Sequence, residues 1–243
     1  MKSELCSCMR GRVLEFLIHS AHELQVSPMV KYSALALFAE RFYPSISNCL
    51  YPSLSGLEDG KVSANWLLYP MTESNLQLFA LTSLWISSKM HDSPPMSVKC
   101  FKSSGDKFIK EQHFTARDLL EAELVLMQVL EFRIGTLSIA FTYLEELLIQ
   151  LKGVAQVGEY VKLDDCLDIM DLLYEKEETM VLYNSSCSLA ASVLVAAYVI
   201  TVPKQRWEFP VLPWVKFVTS CKEEDILNSV RNILRHVFEP QAV

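Results

Sequence analysis

Apolar residues recur at helical spacing along most of the chain, and in two stretches they leave almost no polar face. Leu76 to about Met90 and Thr115 to Phe132 each read as a helix apolar on nearly all sides. Helices of that kind are buried in a core rather than laid over it. Two charges interrupt the pattern, Lys89 and Glu123. Leu119, Leu124, Leu126, Met127 and Leu130 bracket Glu123 on one apolar face, with Arg117, Glu121 and Gln128 opposite. A carboxylate so placed needs a charged or hydrogen-bonding partner. Lys89 is the candidate; alternatively the two are unrelated, and Lys89 serves only the C-terminal dipole of its own helix.

The remaining elements follow the same spacing. Met9 to Leu24 forms a first helix with Leu14, Leu17, Ile18, Ala21 and Leu24 towards the core. Met9, Val13 and Phe16 make a second strip, either a broadening of the core face or a docking patch left partly exposed. Ser27 and Pro28 start the next helix, which carries Val30, Ala34, Leu37, Phe38 and Phe42 and is expected to stop before Pro44. A long loop is expected over 44–72, part of it packing back through Tyr51, Trp66, Leu67, Leu68 and Tyr69. A short helix is expected from about Met96 to Lys102. Thr115 with Asp118 forms a capping box, and Phe132 to Gly135 ends that helix. Further helices are expected over Ser138–Leu151, Leu163–Glu178, Leu189–Ile200, Phe209–Ser220 and Glu223–Phe238.

The plan repeats. Leu81–Met90 lies over Ala190–Val199 without gaps, and small residues fall on small ones: Thr82 on Ala191, Ser83 on Ser192, Ser87 on Ala196, Ser88 on Ala197. Small residues on one face let neighbouring helices approach closely. The expectation is an all-α chain of two similar helical lobes, 1–135 and 136–243. Lys89 falls on Tyr198, so the charged feature belongs to the first lobe alone.

Composition narrows the chemistry. A net charge of −7 and a pI near 5.3 oppose nonspecific nucleic-acid binding, which needs clustered Lys and Arg. The seven glycines form no phosphate-cradling loop. Cys6, Cys8, Cys49, Cys100, Cys166, Cys187 and Cys221 include no CxxC; they read as reduced thiols, with Cys6-x-Cys8 only a weak metal signal. Asp164, Asp168, Asp171, Glu175 and Glu178 line one helix face and read as a solvated row rather than a metal or catalytic site. No secretory leader is evident, and the longest apolar run, Leu189–Ile200, falls short of the about 20 residues a membrane span needs. No nucleophile–base pair is found, and no cofactor or metal is expected. His19, His22, His91, His113 and His236 are scattered.

Three segments carry a resemblance. Met9–Leu24 (MRGRVLEFLIHSAHEL) is similar to the opening cyclin-box helix, M-R-x-I-L-x-x-W-L. Leu81–Pro95 (LTSLWISSKMHDSPP) resembles A-x-x-L-A-S-K-x-E-E…P-P, and Leu119–Phe132 (LLEAELVLMQVLEF) resembles M-E-x-x-x-L-x-x-L-x-F. The ordered set spans nearly the whole chain and resembles the cyclin family, most closely its small plant J-type members. The resemblance implies two cyclin-box-like five-helix lobes.

It also implies a role for named residues. Lys89 and Glu123 fall on a charged pair that grips a kinase partner near its C-helix, and Met90, Met127, Phe132 and Ile134 on apolar positions that pack against that helix. Met9, Arg10, Val13 and Phe16 match the family's substrate-docking patch in part, with Arg12 in place of Ile and Phe16 in place of Trp. His91-Asp92 stands where the family has Glu-Glu. Arg117-Asp118-Leu119-Leu120 fits R-x-x-L but lies within a helix of the core. The implied function is a non-enzymatic regulatory subunit that binds and activates a cyclin-dependent kinase, controlling cell-cycle progression or division, in the nucleus, the cytoplasm or both, with kinase substrates or inhibitors as further partners. The alternatives are an adaptor that activates no kinase and a DNA-binding, transcription-factor-like relative. The acidic balance speaks against the latter, and no membrane partner is expected.

Overall fold

The computed structural model describes residues 2–50, 65–135, 138–175 and 185–238, with side chains from residue 9 and not over 47–50. The chain divides into two compact units, Met1–Leu137 and Ser138–Val243. Among the described residues the ordered structure is helical throughout, without strands.

The first unit holds α1 (Lys2–Glu23), α2 (Pro28–Leu35), a π-helical segment (Ala36–Phe42), α3 (Tyr43–Leu50), α4 (Glu73–His91), α5 (Val98–Phe108) and α6 (Ala116–Val129). α4 is its axis and packs against α1, α2, α5 and α6. Its uniform hydrophobicity predicted as much: fourteen of its nineteen residues are buried. Polar residues inside it are kept satisfied locally. Thr82 Oγ1 donates to the Leu78 carbonyl at 2.8 Å and Ser83 Oγ to the Phe79 carbonyl at 2.9 Å. Such bonds to the preceding turn leave a small, apolar outer surface against which neighbours close.

The second unit repeats this plan with α7 (Ala140–Val154), α8 (Leu163–Glu175), α9 (Ser186–Thr201), α10 (Val211–Thr219) and α11 (Glu223–Phe238). Here α9 is the axis, packed against α7, α8, α10 and α11. Ala191, Ser192, Ala196 and Ala197, matched in sequence to the small residues of α4, are likewise fully buried. The described acids of the α8 row behave as a solvated edge, with Asp164, Asp168 and Glu175 exposed; Glu178 lies outside the described residues.

Three expectations are corrected. The second helix does not stop before Pro44. α2, the π segment and α3 run on as one helical stretch, and Pro44 sits in the first turn of α3. The wide turn delivers the Tyr43 N–H to the Phe38 carbonyl, five residues back. Proline inside an α-helix costs a hydrogen bond to the preceding turn, and the change of bonding register in the π turn just before Pro44 accommodates that loss. The expected loop over 44–72 is therefore partly helical. Its segment 51–64, with Tyr51, lies outside the described residues, while Leu67 and Leu68 are buried as expected. Asn75 secures that return, its Nδ2 donating to the Leu67 carbonyl at 3.0 Å. α5 covers Val98–Phe108, starting two residues later and running six further than expected.

α6 is the third correction. Only Leu119, Ala122, Val125 and Leu126 of this helix are buried, so it is not apolar-and-buried all round. Leu120 and Leu124 are 54% and 53% exposed. The R-x-x-L stretch thus shows Arg117 and Leu120 to solvent.

Candidate functional site

The last turn of α4 meets the middle of α6. Lys89 Nζ donates to Glu123 Oε1 at 2.6 Å. The contact joins two helices 34 residues apart in sequence, so tertiary packing sets it rather than helix-surface chemistry. Lys89 also lies over the Trp85 ring, 3.5 Å from its centre. Trp85 is one turn earlier on α4 and buried. The ammonium is therefore held from below by an aromatic face and from the side by a carboxylate.

Hydrogen bonds hold this end of α4. Ser88 Oγ donates to Asp92 Oδ2 at 2.8 Å and accepts from the Met96 N–H at 2.9 Å. His91 Nε2 lies 3.2 Å from Ser33 Oγ, tying the helix end to α2. The expected capping box opens α6: Asp118 N–H donates to Thr115 Oγ1 at 3.3 Å, and Thr115 N–H to Asp118 Oδ2 at 2.7 Å.

The pair stands at the water boundary. Lys89 and Glu123 side chains are 38% and 22% exposed. A pair so placed contributes only about 0–1 kcal/mol to folding. Its surroundings are apolar. Met90 is exposed, Met127 and Ile134 are half-buried, and Phe132 is 60% exposed. Leu120 and Leu124 flank Glu123 along the outer face of α6. Reading the sequence missed them as surface residues, because a leucine facing a partner and a leucine facing the core share one periodicity.

The end of α6 is unusual. Glu131 and Phe132 take φ of 51° and 58°, a left-handed region in which non-glycine residues are strained. The Phe132 N–H closes on the Met127 carbonyl at 2.8 Å, and the Leu130 N–H on the Leu126 carbonyl at 3.0 Å. This turn holds the Phe132 ring outward. Arg41, from the π segment, donates to the Arg133 carbonyl just beyond it.

The corresponding position in the second unit is closed. Tyr198 is buried, burial pushes its phenol above the ordinary value, and its hydroxyl donates to the Phe209 carbonyl at 3.3 Å. The position matched to Lys89 in the repeat therefore carries a buried phenol in the second unit and no charge.

The strip on α1 is arranged differently from a fully open patch. Val13 and Arg10 are buried, and Met9 and Phe16 half-buried. Arg12 reaches across to the first turn of α4, where Nη2 donates to Glu73 Oε2 at 2.6 Å and Nε to both carboxylate oxygens at 3.0 and 3.1 Å. Among the described residues no three His, Cys, Asp or Glu side chains gather as a metal site. Nor is any described helix long and apolar enough to cross a membrane.

The family pattern described as "Cyclin, N-terminal domain" matches residues 66–135, the stretch containing α4 to α6. The chain is 51% identical over 231 residues to "Cyclin-J18-like" of Oryza sativa subsp. japonica, covering 95% of this chain and 88% of that one. It is 55% identical over 230 residues to "Cyclin-J18" of Arabidopsis thaliana, covering 95% of each. The fold is similar to the X-ray structure of a viral cyclin from herpesvirus saimiri, with a TM-score of 0.64 at 15% identity, over 96% of this chain and 86% of that one.

Proposed function

The chain belongs to the cyclin family, and we propose that it binds and activates a cyclin-dependent protein kinase through the face bearing Lys89 and Glu123. Family membership supports a regulatory role. The more specific reading rests on one observation: a lysine and a glutamate joined at 2.6 Å at the edge of water, on two helices whose Met90, Leu120 and Leu124 beside them are exposed.

The free pair contributes little to folding, so its worth lies in what covers it. Removing one member of a charge pair buried in an interface costs about 2–5 kcal/mol. Met90, Met127, Phe132 and Ile134 supply the apolar area around it, and methionine adapts its shape to a partner helix. In a protein kinase, catalysis requires a Lys–Glu pair linking a strand to the C-helix. A cyclin seated on that helix holds it inward and favours the open activation segment. Shifting a kinase from 1:99 to 99:1 active needs about 5.5 kcal/mol of differential binding. One anchored charge pair within an apolar interface is of the right order. The partner is met in the nucleus, the cytoplasm or both.

The test is a pull-down of cyclin-dependent kinase with Lys89→Ala and Glu123→Ala. Both variants keep the helical circular-dichroism spectrum and fail to capture the kinase. Undiminished capture by both overturns the proposal. Phosphate transfer by the reconstituted complex distinguishes activation from simple adaptor binding.

A further inference from the structure

We propose that the cleft between the end of α1 and one side of α5 binds the phosphate group of a phosphate monoester. The cleft is open to solvent and about 420 Å³ in volume. Lys99, Ser103 and Lys107 recur at intervals of four along α5, so they share one side of that helix, and all three line the cleft. Each is exposed. Leu24 and Phe108, both half-buried, give the cleft an apolar margin.

A buried hydroxyl lies in the same wall. Ser104 lines the cleft, yet it is 6% exposed and its Oγ has no hydrogen-bonding partner. A buried serine within a helix can bond the carbonyl one turn back, as Ser83 does in α4. Ser104 does not. Buried polar atoms without a partner are few in folded proteins, and each calls for an explanation such as an ion to which it donates.

Glu23 marks where negative charge settles. Its Oε2 accepts from Lys107 Nζ at 2.6 Å, and this hydrogen bond holds the Glu23 carboxyl below its ordinary range. The Lys107 and Glu23 side chains are 60% and 38% exposed, and an ion pair that open is weak. A phosphate monoester carries up to two charges and three acceptor oxygens. It therefore displaces the carboxylate and also engages Lys99, which pairs with no carboxylate among the described residues. The ammoniums of Lys99 and Lys107 and the hydroxyls of Ser103 and Ser104 are donors enough for those oxygens.

The charge along α5 favours the same ligand. The helix carries Lys99, Lys102 and Lys107 against one acid, Asp106, which Lys102 already holds at 2.5 Å, in a chain of net charge −7. A basic surface so confined raises the local concentration of anions. The cleft beside α11 differs, with one lysine, Lys222, and one acid, Asp225, in its lining. The α1–α5 cleft shares no residue with the Lys89–Glu123 face, so anion binding does not depend on kinase binding. A phosphoserine or phosphothreonine of a partner protein and a small phosphorylated metabolite present the same group.

The test is a nuclear magnetic resonance titration of the isotope-labelled full chain at constant ionic strength. The probes are inorganic phosphate and a short glycine peptide centred on phosphoserine, with the unphosphorylated peptide as control. The amide signals of Glu23, Lys99, Ser103 and Ser104 shift saturably with both phosphorylated probes and not with the control. Tighter binding of the phosphopeptide assigns the cleft to a protein partner, and tighter binding of inorganic phosphate assigns it to a small metabolite. Lys99→Ala and Lys107→Ala each weaken binding about tenfold. Ser104→Ala weakens it with an unchanged circular-dichroism spectrum, and Glu23→Gln tightens it by removing the competing carboxylate. Absence of saturable shifts at these amides overturns the proposal, and so does binding that both lysine variants leave unchanged.

Discussion

The Lys89 ammonium rests 3.5 Å from the centre of the Trp85 ring while it donates to Glu123 at 2.6 Å. Trp85 precedes Lys89 by one helical turn, so α4 itself builds the platform on which its terminal charge is set. A cation over an indole at a partly exposed site gains about 0.5–1 kcal/mol. The gain fixes one rotamer of a side chain that otherwise has many, before any partner arrives.

Trp85→Phe therefore weakens kinase binding about 2–5-fold, the equivalent of the cation–π energy removed. Lys89→Ala has a larger effect. Titration of labelled kinase with each variant measures the ordering, and equal weakening would show that the ring is only core filling.

The strained end of α6 gives a prediction of opposite sign. Glu131 holds φ at 51°, which glycine adopts freely. Glu131→Gly removes strain of the order of 1 kcal/mol. The substitution also removes the Glu131–Arg133 ion pair. At 3.1 Å between two side chains more than 70% exposed, that pair contributes little. Thermal unfolding of the first lobe shifts upward by about 2–4 °C. A downward shift would mean that the turn is not where the chain is strained.

Asn75 is buried and holds the carbonyl of Leu67. Asn75→Leu leaves that carbonyl without its donor at a cost of about 1–3 kcal/mol. Denaturant unfolding reads the destabilisation. Hydrogen exchange quickens at the Leu68 and Tyr69 amides, both of which donate to the Asn65 carbonyl in the native chain.

Gly158 packs against the end of α7. A Cβ there would lie 2.9 Å from the backbone nitrogen and Cα of Lys152. Backbone cannot swing aside as a side chain does, so Gly158→Ala destabilises the second lobe by about 1–3 kcal/mol. Calorimetry of the full chain registers the change in the second lobe, with the first lobe unaltered.

Much of this was readable from residue order. α4 and α9 stood out because a helix at the centre of a bundle has neighbours on every side, and its composition records that. Glu123 stood out because a carboxylate among leucines needs company, and Lys89 supplies it. Other features were hidden for physical reasons. Leu120 and Leu124 follow core periodicity yet face outward, since spacing records which residues share a side and not what covers that side. Pro44 reads as a helix stop under α-helical bonding, but a π turn changes which N–H is needed. Val13 and Arg10 share a strip with Met9 and Phe16, but half of the strip turns into the lobe. Trp85 belongs to the same apolar run as its neighbours, and spacing alone does not mark the ring over which an ammonium is set.

The π-helical segment has a consequence for how the chain tolerates changes in length. A π turn is an α turn carrying one residue too many, and deleting one residue between Ala36 and Phe42 lets an ordinary helix form with both flanks still in phase. In that ordinary helix Pro44 would stand in the interior with no N–H to give, so the deletion costs about 3 kcal/mol and lowers the melting temperature of the first lobe. It would swing Arg41 away from the Arg133 carbonyl and free the turn that presents Phe132. A sequence shortened by that single codon would be both less stable and poorer at gripping a partner.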